Sequence, residues 1–397
     1  MIQGIFASNQ GIIGERVGDF ASAMLTINPT GSGLFLAMTA GMGKEEAGDT
    51  VFHWYEDSHA SGRSQVVSGG TGTTVVVVDG SFYIPGTVLL AEETSEIMLV
   101  TATNGDSLTV TRGLSGTSVV SLTNVMHVQN IGNAHEEASG IPVAVTQQGA
   151  PRLNYTQIFR NAWAISGTAK AVKFHTGSKL AKNKRDAATY HAEDQERALV
   201  WGRKHIGTMN GKQFRLTDGV KAQIELYGGV VESAASNSTP GDLSYEDYDD
   251  FLMRLFAKNV KGQPNERLQI GGNGILKAVN QMALTNAQYT IQNGTTSFGL
   301  AVTKIVTAWG TISHMTHPLM NENPVWSKES YYLHPGGIKR KVLRDTFEEN
   351  YDKNGLRIQG KDADEGVITS ELGVAVAGAS TMGILKNVQR GVKAEAA

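Results

Sequence analysis

Strand-like and helix-like patterns of hydrophobic and polar positions alternate along this chain, and strand-like runs dominate its first third. Residues 51–67 have a strand-like mixture of large apolar and polar side chains, and residues 69–130 contain short β-branched runs between glycine turns. Asn104 and Gly105 lie between two such runs, and an Asn-Gly pair favours a two-residue hairpin because both turn positions need positive φ. We therefore predict a small β-module over residues 69–130.

A long helix is predicted over residues 178–205, where the spacing changes and proline is absent. Ser178 can cap its start and Gly207 can end it, and Glu193 and Arg197 are placed for an ion pair four residues apart. The apolar stripe of this helix is narrow. Such a pattern is typical of a helix that spans a surface or contacts a partner.

Two amphipathic helices are predicted further along the chain. Residues 244–258 have apolar side chains at helical spacing after a capping pair, Ser244 and Asp247, and residues 275–284 show the same spacing. Residues 154–172 (interrupted at 166–168), 298–317 and 366–385 have strand-like patterns. This mixture of strands and helices predicts an α+β fold.

The composition is that of an ordinary folded protein, with 40% hydrophobic and 18% charged residues among 397. The 46 glycines show no fixed spacing and indicate many tight turns. Residues 1–50 are glycine-rich without sustained periodicity, which predicts an extended arm. The first ten residues lack the pattern of a secretion signal, and no apolar run approaches the roughly 18 residues of a membrane span, so we expect neither.

Few residues suggest a chemical site. The chain has no cysteine, which excludes disulfides, thiolate metal sites and cysteine nucleophiles. Residues 41–44 match only part of a phosphate-binding loop, and no serine lies in a Gly-x-Ser-x-Gly elbow. Residues 271–274 are predicted to be a strand-to-helix turn, and His314 and His317 to be structural rather than metal ligands. We predict no catalytic, cofactor-binding or metal site, and no enzyme.

The net charge of −3 conceals separate blocks of opposite sign. Residues 138–185 contain eight lysines and arginines and no acid, whereas five acids and no base lie between Arg63 and Arg112. A further seven acids lie within residues 221–254. Such blocks can pair within a chain or between copies of it, and solvated faces are the alternative interpretation.

Six short stretches of the sequence are similar to sequences of one known family. They are 98–101, 108–113, 131–137, 154–160, 165–169 and 198–202. Together they resemble major capsid proteins of tailed double-stranded-DNA bacteriophages with the Hong Kong 97 fold. The resemblance covers roughly residues 50 to 390.

The resemblance implies an assignment of parts to this α+β chain. The parts would be an N-terminal arm (1–50), an E-loop with the inserted β-module (51–177), the spine helix of the peripheral domain (178–214), an axial domain (215–335), and a return to the peripheral domain with a C-terminal strand (336–397).

The resemblance also implies a function without catalysis. The chain would assemble with itself into hexamers and pentamers of an icosahedral phage head around double-stranded DNA, bound without sequence specificity. Scaffolding and portal proteins would be its other partners, with no cofactor and no membrane. It would be part of the virion capsid and would assemble in the host bacterial cytoplasm.

Two other structural functions remain as alternatives. An encapsulin-like shell of a cellular compartment has the same fold but encloses cargo proteins, and the β-module favours the viral interpretation over it. A β-rich phage tail or host-binding protein fits the long charged helix and the amphipathic helices poorly.

One contact between subunits is predicted from the charge blocks. Cations in the first turns of a helix oppose its dipole, so an anionic partner should offset that cost. The predicted bases are at the start of the long helix and the predicted acids are in the β-module: Lys179, Lys182, Lys184 and Arg185 with Glu92, Glu93 and Glu96. Packaged DNA and solvent are the alternative surroundings of the bases.

Overall fold

The computed structural model describes residues 43–57, 62–146, 149–174, 177–286, 291–297, 300–350 and 362–392. Its first strands are β1 Lys44–Glu46, β2 Val51–Glu56, β3 Arg63–Ser68, β4 Thr74–Val77, β5 Thr87–Ala91, β6 Glu96–Asn104, β7 Ser107–Thr111, β8 His127–Asn133, β9 Ala150–Tyr155, β10 Gln157–Ser166, β11 His205–Met209 and β12 Lys212–Leu216.

The later strands are β13 Val230–Ser233, β14 Asp242–Ser244, β15 Glu266–Gly271, β16 Ile291–Ser297, β17 Leu300–Val306, β18 Thr311–Thr316, β19 Ser330–Leu333, β20 Ile338–Asn350, β21 Ala363–Val376, β22 Gly383–Lys386 and β23 Arg390–Val392. The α-helices are α1 Gly167–Ala171, α2 Lys179–Trp201, α3 Val220–Leu226, α4 Tyr245–Phe256, α5 Asn273–Asn286 and α6 Pro318–Glu322.

These elements form two compact units, one over residues 55–151 and one made of the other described residues. In the smaller unit, strands β3 to β8 close into a barrel in the order β3-β4-β7-β6-β5-β8. Side chains of β5 alternate between buried and half-buried, which is the pattern that makes a strand recognisable from sequence. The predicted β-module is therefore present. It extends beyond 69–130 because β3 and β8 complete the barrel.

The hairpin between β6 and β7 turns one residue later than predicted. Asn104 pairs with Ser107, so the two turn residues are Gly105 and Asp106. Of these, only Gly105 has positive φ, at 59°. Gly80 lies against this turn, where a Cβ would be 2.4 Å from the carbonyl oxygen of Gly105. Close approach of two backbones therefore requires a glycine at position 80.

The larger unit contains a four-stranded sheet in the order β1-β20-β21-β10. Strand β10 runs antiparallel to β21 along its whole length and is the last strand on its side of the sheet. Helix α2 packs on this sheet through both apolar and polar side chains. Its buried residues are Ala187, His191, Gln195, Glu196, Leu199 and Val200. The predicted narrow apolar stripe is correct, but polar groups widen the buried face.

Two of the predicted strands end early. Strand β10 stops at Ser166, whose Oγ accepts a hydrogen bond from the Ala169 amide at 3.2 Å. This cap begins helix α1 at the interruption predicted for residues 166–168, so only the continuation of the strand to residue 172 was wrong. The predicted strand 366–385 is divided between β21 and β22, which belong to different sheets, because the chain turns at Gly378 with φ 72°.

The second sheet of the larger unit has the order β13-β22-β19-β15-β18-β17-β16. Both predicted amphipathic helices are confirmed beside it, as α4 and α5. The capping pair is also confirmed, since Ser244 Oγ accepts a hydrogen bond from the Asp247 amide at 3.1 Å. The buried face of α4 consists of the apolar side chains that predict it: Tyr248, Phe251, Leu252, Leu255 and Phe256.

The long helix is confirmed, but it ends sooner than predicted. Ser178 caps α2 through the Ala181 amide, and the helix ends at Gly202 instead of Gly207. A Cβ at Gly202 would lie 2.4 Å from the Ala198 carbonyl oxygen, so the chain leaves the helix by a route that only glycine permits. The residues beyond it form the hairpin β11–β12.

The first predicted segments are described only in part. Most of the predicted arm, residues 1–42, lies outside the described residues. Residues 44–46 form β1, which pairs in parallel with β20. The strand-like stretch 51–67 is two strands, β2 and β3, and β2 pairs with β9. The stretch is strand-like as predicted, with two strands in place of one run.

Candidate inter-subunit surfaces

The predicted basic residues occupy the first two turns of α2, directly after the Ser178 cap. Lys182 and Arg185 are exposed, and Lys179 is half-buried with its Nζ 5.2 Å from the centre of the Phe174 ring. These three side chains lie on the part of the helix that meets solvent. A neighbouring subunit or nucleic acid can approach this part of the helix from solvent.

Lys184 has partners inside its own chain. Its Nζ donates a hydrogen bond to Glu348 Oε1 at 2.9 Å and lies 4.3 Å from the centre of the Trp163 ring. The indole of Trp163 donates to the same glutamate oxygen at 3.0 Å. Lys184 therefore joins α2 to the sheet, and its availability to another subunit is reduced accordingly.

Two of the predicted acids are exposed but engaged within the barrel. Glu92 forms a two-pronged ion pair with Arg63, at 2.7 and 2.8 Å. Glu93 accepts hydrogen bonds from the His127 amide, at 2.9 Å, and contacts the His127 ring. The bond from Arg63 holds the pKa of Glu92 below its usual range, and the bond from the His127 amide does the same for Glu93. Both carboxylates stay charged and solvent-accessible.

Glu96 is fully buried and belongs to the barrel itself. Its carboxylate accepts two hydrogen bonds from Arg112, at 2.6 and 2.9 Å, and a third from the Val120 amide. Burial alone would raise the pKa of Glu96, but the bonds from Arg112 and the backbone amides outweigh it and lower the pKa. A side chain with 0% exposure offers nothing to a neighbouring subunit. We therefore remove Glu96 from the predicted contact.

The bases and the remaining acids lie in different compact units. The bases belong to α2 in the larger unit, and Glu92 and Glu93 belong to the barrel unit. Their pairing between copies of the chain stays a prediction.

The polar underside of α2 is the feature that sequence patterns do not reveal. Gln195 donates to Ser370 Oγ at 2.7 Å, and His191 contacts the same hydroxyl at 2.9 Å. Burial lowers the pKa of His191, so its ring is neutral at pH 7. Glu196 contacts His317 Nε2 at 2.7 Å with both side chains buried. Because these partners lie more than a hundred positions away, helical spacing alone could not identify them.

The residues considered for metal or anion binding have structural roles or internal partners. His314 Nδ1 is 2.9 Å from Gln269 Oε1 in the core, and the 271–274 segment is a strand-to-helix turn as predicted. Lys44, from the incomplete phosphate-loop pattern, pairs with Asp345 at 2.5 Å. One group in the described part of the chain could reach a cation, formed by Glu92, Glu93 and His127. Its carboxylates already bind Arg63 and the His127 amide.

None of the helices in the described ranges is both long and apolar enough to cross a membrane.

Comparison of the sequence with known families defines the class of this protein, which is a phage major capsid protein. The chain belongs to the SU10 major capsid protein family, whose sequence model matches residues 6–389. It is 26% identical over 387 residues to the major capsid protein of Pseudomonas phage PaMx41, covering 94% of this chain and 92% of that one. The predictions of an α+β capsid fold of the Hong Kong 97 type and of a phage major capsid protein are confirmed.

Two solved structures illustrate the range of similar shells. The capsid of Myoviridae phage XM1 is 10% identical, with a TM-score of 0.48, and the match covers 97% of this chain and 99% of that one. The encapsulin SrpI from Synechococcus elongatus is 12% identical, with a TM-score of 0.42, over 60% of this chain and 76% of that one. The family match is to phage capsid proteins, so the encapsulin alternative is not favoured.

Proposed function

We propose that this chain forms the hexamers and pentamers of an icosahedral phage head that encloses double-stranded DNA. The observation that carries the proposal is the match of almost the whole chain to a family of phage major capsid proteins. Identical subunits bury self-complementary surfaces most completely in closed symmetric assemblies.

The parts of the shell subunit follow the boundaries predicted from sequence. Residues 51–177, with the barrel, act as the E-loop, and residues 178–214, with α2, as the spine of the peripheral domain. Residues 215–335 act as the axial domain, and residues 336–397 return to the peripheral domain. Residues 1–50 act as the arm. The separate barrel unit supports this division, because an inserted module needs its own core.

Assembly takes place in the cytoplasm of the host bacterium with a separate scaffolding protein and a portal. The finished shell holds DNA without sequence specificity. Contacts between surface cations and phosphates are suited to this, because they supply affinity that does not depend on sequence.

The proposal is tested by electron microscopy of particles from cells that produce the chain, alone and with the other phage structural proteins. We expect closed shells with fivefold and sixfold capsomers, and nucleic acid inside particles from infected cells. Particles that contain protein cargo and no DNA would instead identify a cellular compartment.

A further inference from the structure

An exposed apolar segment follows the last strand of the barrel. Every residue from 131 to 146 is exposed, and residues 139–146 have no helix or strand. Three β-branched side chains alternate along it: Ile141, Val143 and Val145 are 100%, 67% and 47% exposed. Positions two apart point to the same side of a β-strand, so these three would form one apolar face if the segment became a strand.

The backbone of this segment is also unpaired. Among the described residues, no backbone hydrogen bond involves residues 140–146, although β-branched residues favour strands. Pro142 lacks an amide hydrogen and is tolerated at a sheet edge. The segment thus has the composition of an edge strand and no sheet to join.

A groove in the larger unit is lined by the edge of a sheet, which is what this segment lacks. It has a volume of about 510 Å³ and is lined by five consecutive residues, 157–161, of β10. Consecutive residues line a groove only when the edge of the strand faces it, and β10 is the last strand of its sheet. The edge of β10 is therefore open to an added strand.

One part of the groove wall is aromatic. Trp201 and Trp326 line it with their rings stacked, with centroids 3.9 Å apart, and Ile158 of β10 is 48% exposed. Strand addition uses both features, since the backbone edge gives affinity and side-chain pockets give specificity.

Charges at the two surfaces are opposite. The exposed Arg160 lies on the groove, together with Arg197 and Asp194. The chain just before the apolar segment carries Glu136 and Glu137, both exposed. These two glutamates and Arg160 attract each other, which favours binding of the segment beside the groove.

We propose that residues 141–146 of one copy add as a strand to the β10 edge of a second copy, with Ile141, Val143 and Val145 toward the Trp201–Trp326 wall. The partner is a second copy because, in a shell, each subunit presents both surfaces to its neighbours. This inference rests on the proposed function. A contact between two different surfaces of the same chain is heterologous, and it closes into rings when its rotation permits.

The absence of cysteine makes the contact directly testable. Phe159 and Asn161 contact His191 of α2, so Ile158, which alternates with them, projects from the face of β10 opposite α2 and the Trp201–Trp326 wall. Its counterparts in the added strand are therefore the residues between the three apolar ones.

Two populations of the full-length chain would be prepared, one with Ile158→Cys and one with Ala144→Cys, with Pro142→Cys and Thr146→Cys as alternative positions. Facing residues of adjacent strands have Cα atoms about 4.5–5.5 Å apart, within the range of a disulfide. The populations are mixed, assembled, oxidised and separated on non-reducing gels. A covalent dimer that needs both populations can only join two different chains.

Val125→Cys is the matched control, because Val125 is 68% exposed and lies in the same unit as Ala144. We expect about tenfold more covalent dimer with Ile158→Cys from one of the three segment cysteines than from Val125→Cys, since disulfides need close Cα atoms. Arg160→Glu should reduce the yield, and Glu137→Lys should restore part of it.

The outcomes separate this inference from the proposed function. Closed shells without the specific dimer would overturn the strand addition and leave the shell function intact. The specific dimer without shells would support the contact and contradict the shell. Neither shells nor dimer would overturn both.

Discussion

At the scale of single residues, stability depends on buried polar groups whose partners lie far along the chain. Arg267 is an example, since its guanidinium is buried and donates to the carbonyl oxygens of Thr381 and Lys258 instead of to a carboxylate. Burial lowers the pKa of Arg267 to about 10, so it remains charged at pH 7. Such groups are costly to leave without partners, so each one fixes the position of several backbone segments.

The Glu96–Arg112 pair in the barrel core should be the most sensitive ion pair to substitution. Arg112→Met leaves the buried carboxylate without its cation, and breaking a buried pair costs about 3–5 kcal/mol. We expect a fall of that size in the free energy of unfolding, measured with denaturant by a probe placed in the barrel. Arg63→Met, which removes the exposed partner of Glu92, is the control and should cost far less. Equal losses in the two variants would show that burial of Glu96 is unimportant.

His314 should make stability depend on pH. Burial lowers its pKa to about 4, and its Nε2 has no hydrogen-bond partner in the described structure. Below about pH 6.5 the ring takes up a proton in the unfolded chain but not in the folded chain. The contribution of the neutral ring to the free energy of unfolding is therefore fully present above about pH 6.5 and is lost as the pH falls toward 4. At about 1.4 kcal/mol per pKa unit, the loss is roughly 3 kcal/mol. The stability of His314→Gln should fall less steeply over this range, and an unchanged slope would exclude the histidine as its source.

At the scale of elements, local signals predicted what local physics determines. The caps at Ser178 and Ser244, and the apolar face of α4, were predictable because their partners lie within one or two turns. Barrel closure, the length of α2 and the division of 366–385 between two sheets depend on distant strands and on close contacts at glycines. The same limit applies to the predicted contact between subunits, because burial depends on distant strands. Burial excludes Glu96 from that contact, whereas Glu92 and Glu93 remain exposed.

The β11–β12 hairpin shows which local signal was missed. Asn210 and Gly211 both have positive φ, at 51° and 73°, between the paired residues Met209 and Lys212. This is the Asn-Gly turn that residues 104 and 105 were expected to form. Five Asn-Gly pairs occur in the sequence, at 104–105, 210–211, 273–274, 293–294 and 354–355. Only the register of the flanking strands distinguishes the turns at the first two.

The β6–β7 turn gives a test of that register. Gly105→Val forces a β-branched residue to positive φ and should destabilise the barrel by roughly 1–2 kcal/mol, whereas Asn104→Val occupies a strand position and should be tolerated. Thermal unfolding of both variants measures the difference. Comparable destabilisation by Asn104→Val would place the turn at residues 104 and 105 after all. Because the barrel is a separate unit, we expect helical circular dichroism to persist in both variants.

The start of α2 gives a test of the predicted charge contact. Lys182→Glu with Arg185→Glu should leave the melting temperature of the single chain nearly unchanged, because acids suit a helix N-terminus. Assembly should be impaired, because exposed pairs of about 0.2–1 kcal/mol each recur throughout a shell. Recovery on adding Glu93→Lys would identify the partner. Normal assembly with poor retention of DNA would mean that this surface faces the genome.

At the scale of the whole molecule, the chain has the organisation of a shell subunit. It has two independently packed units, an open sheet edge, separated blocks of charge, and membership of a phage major capsid protein family. The class of phage major capsid protein was predicted from six short stretches of sequence and from the order of the helices and strands. The inter-subunit geometry could not be predicted in the same way, because the surfaces that meet belong to different copies.

Sedimentation of the purified full-length chain, with and without co-produced phage structural proteins, tests the central claim most directly. Self-assembly predicts capsomers or closed shells that sediment far faster than a single chain, and their fraction should rise with protein concentration. A single species with the mass of one chain under every condition would contradict the account.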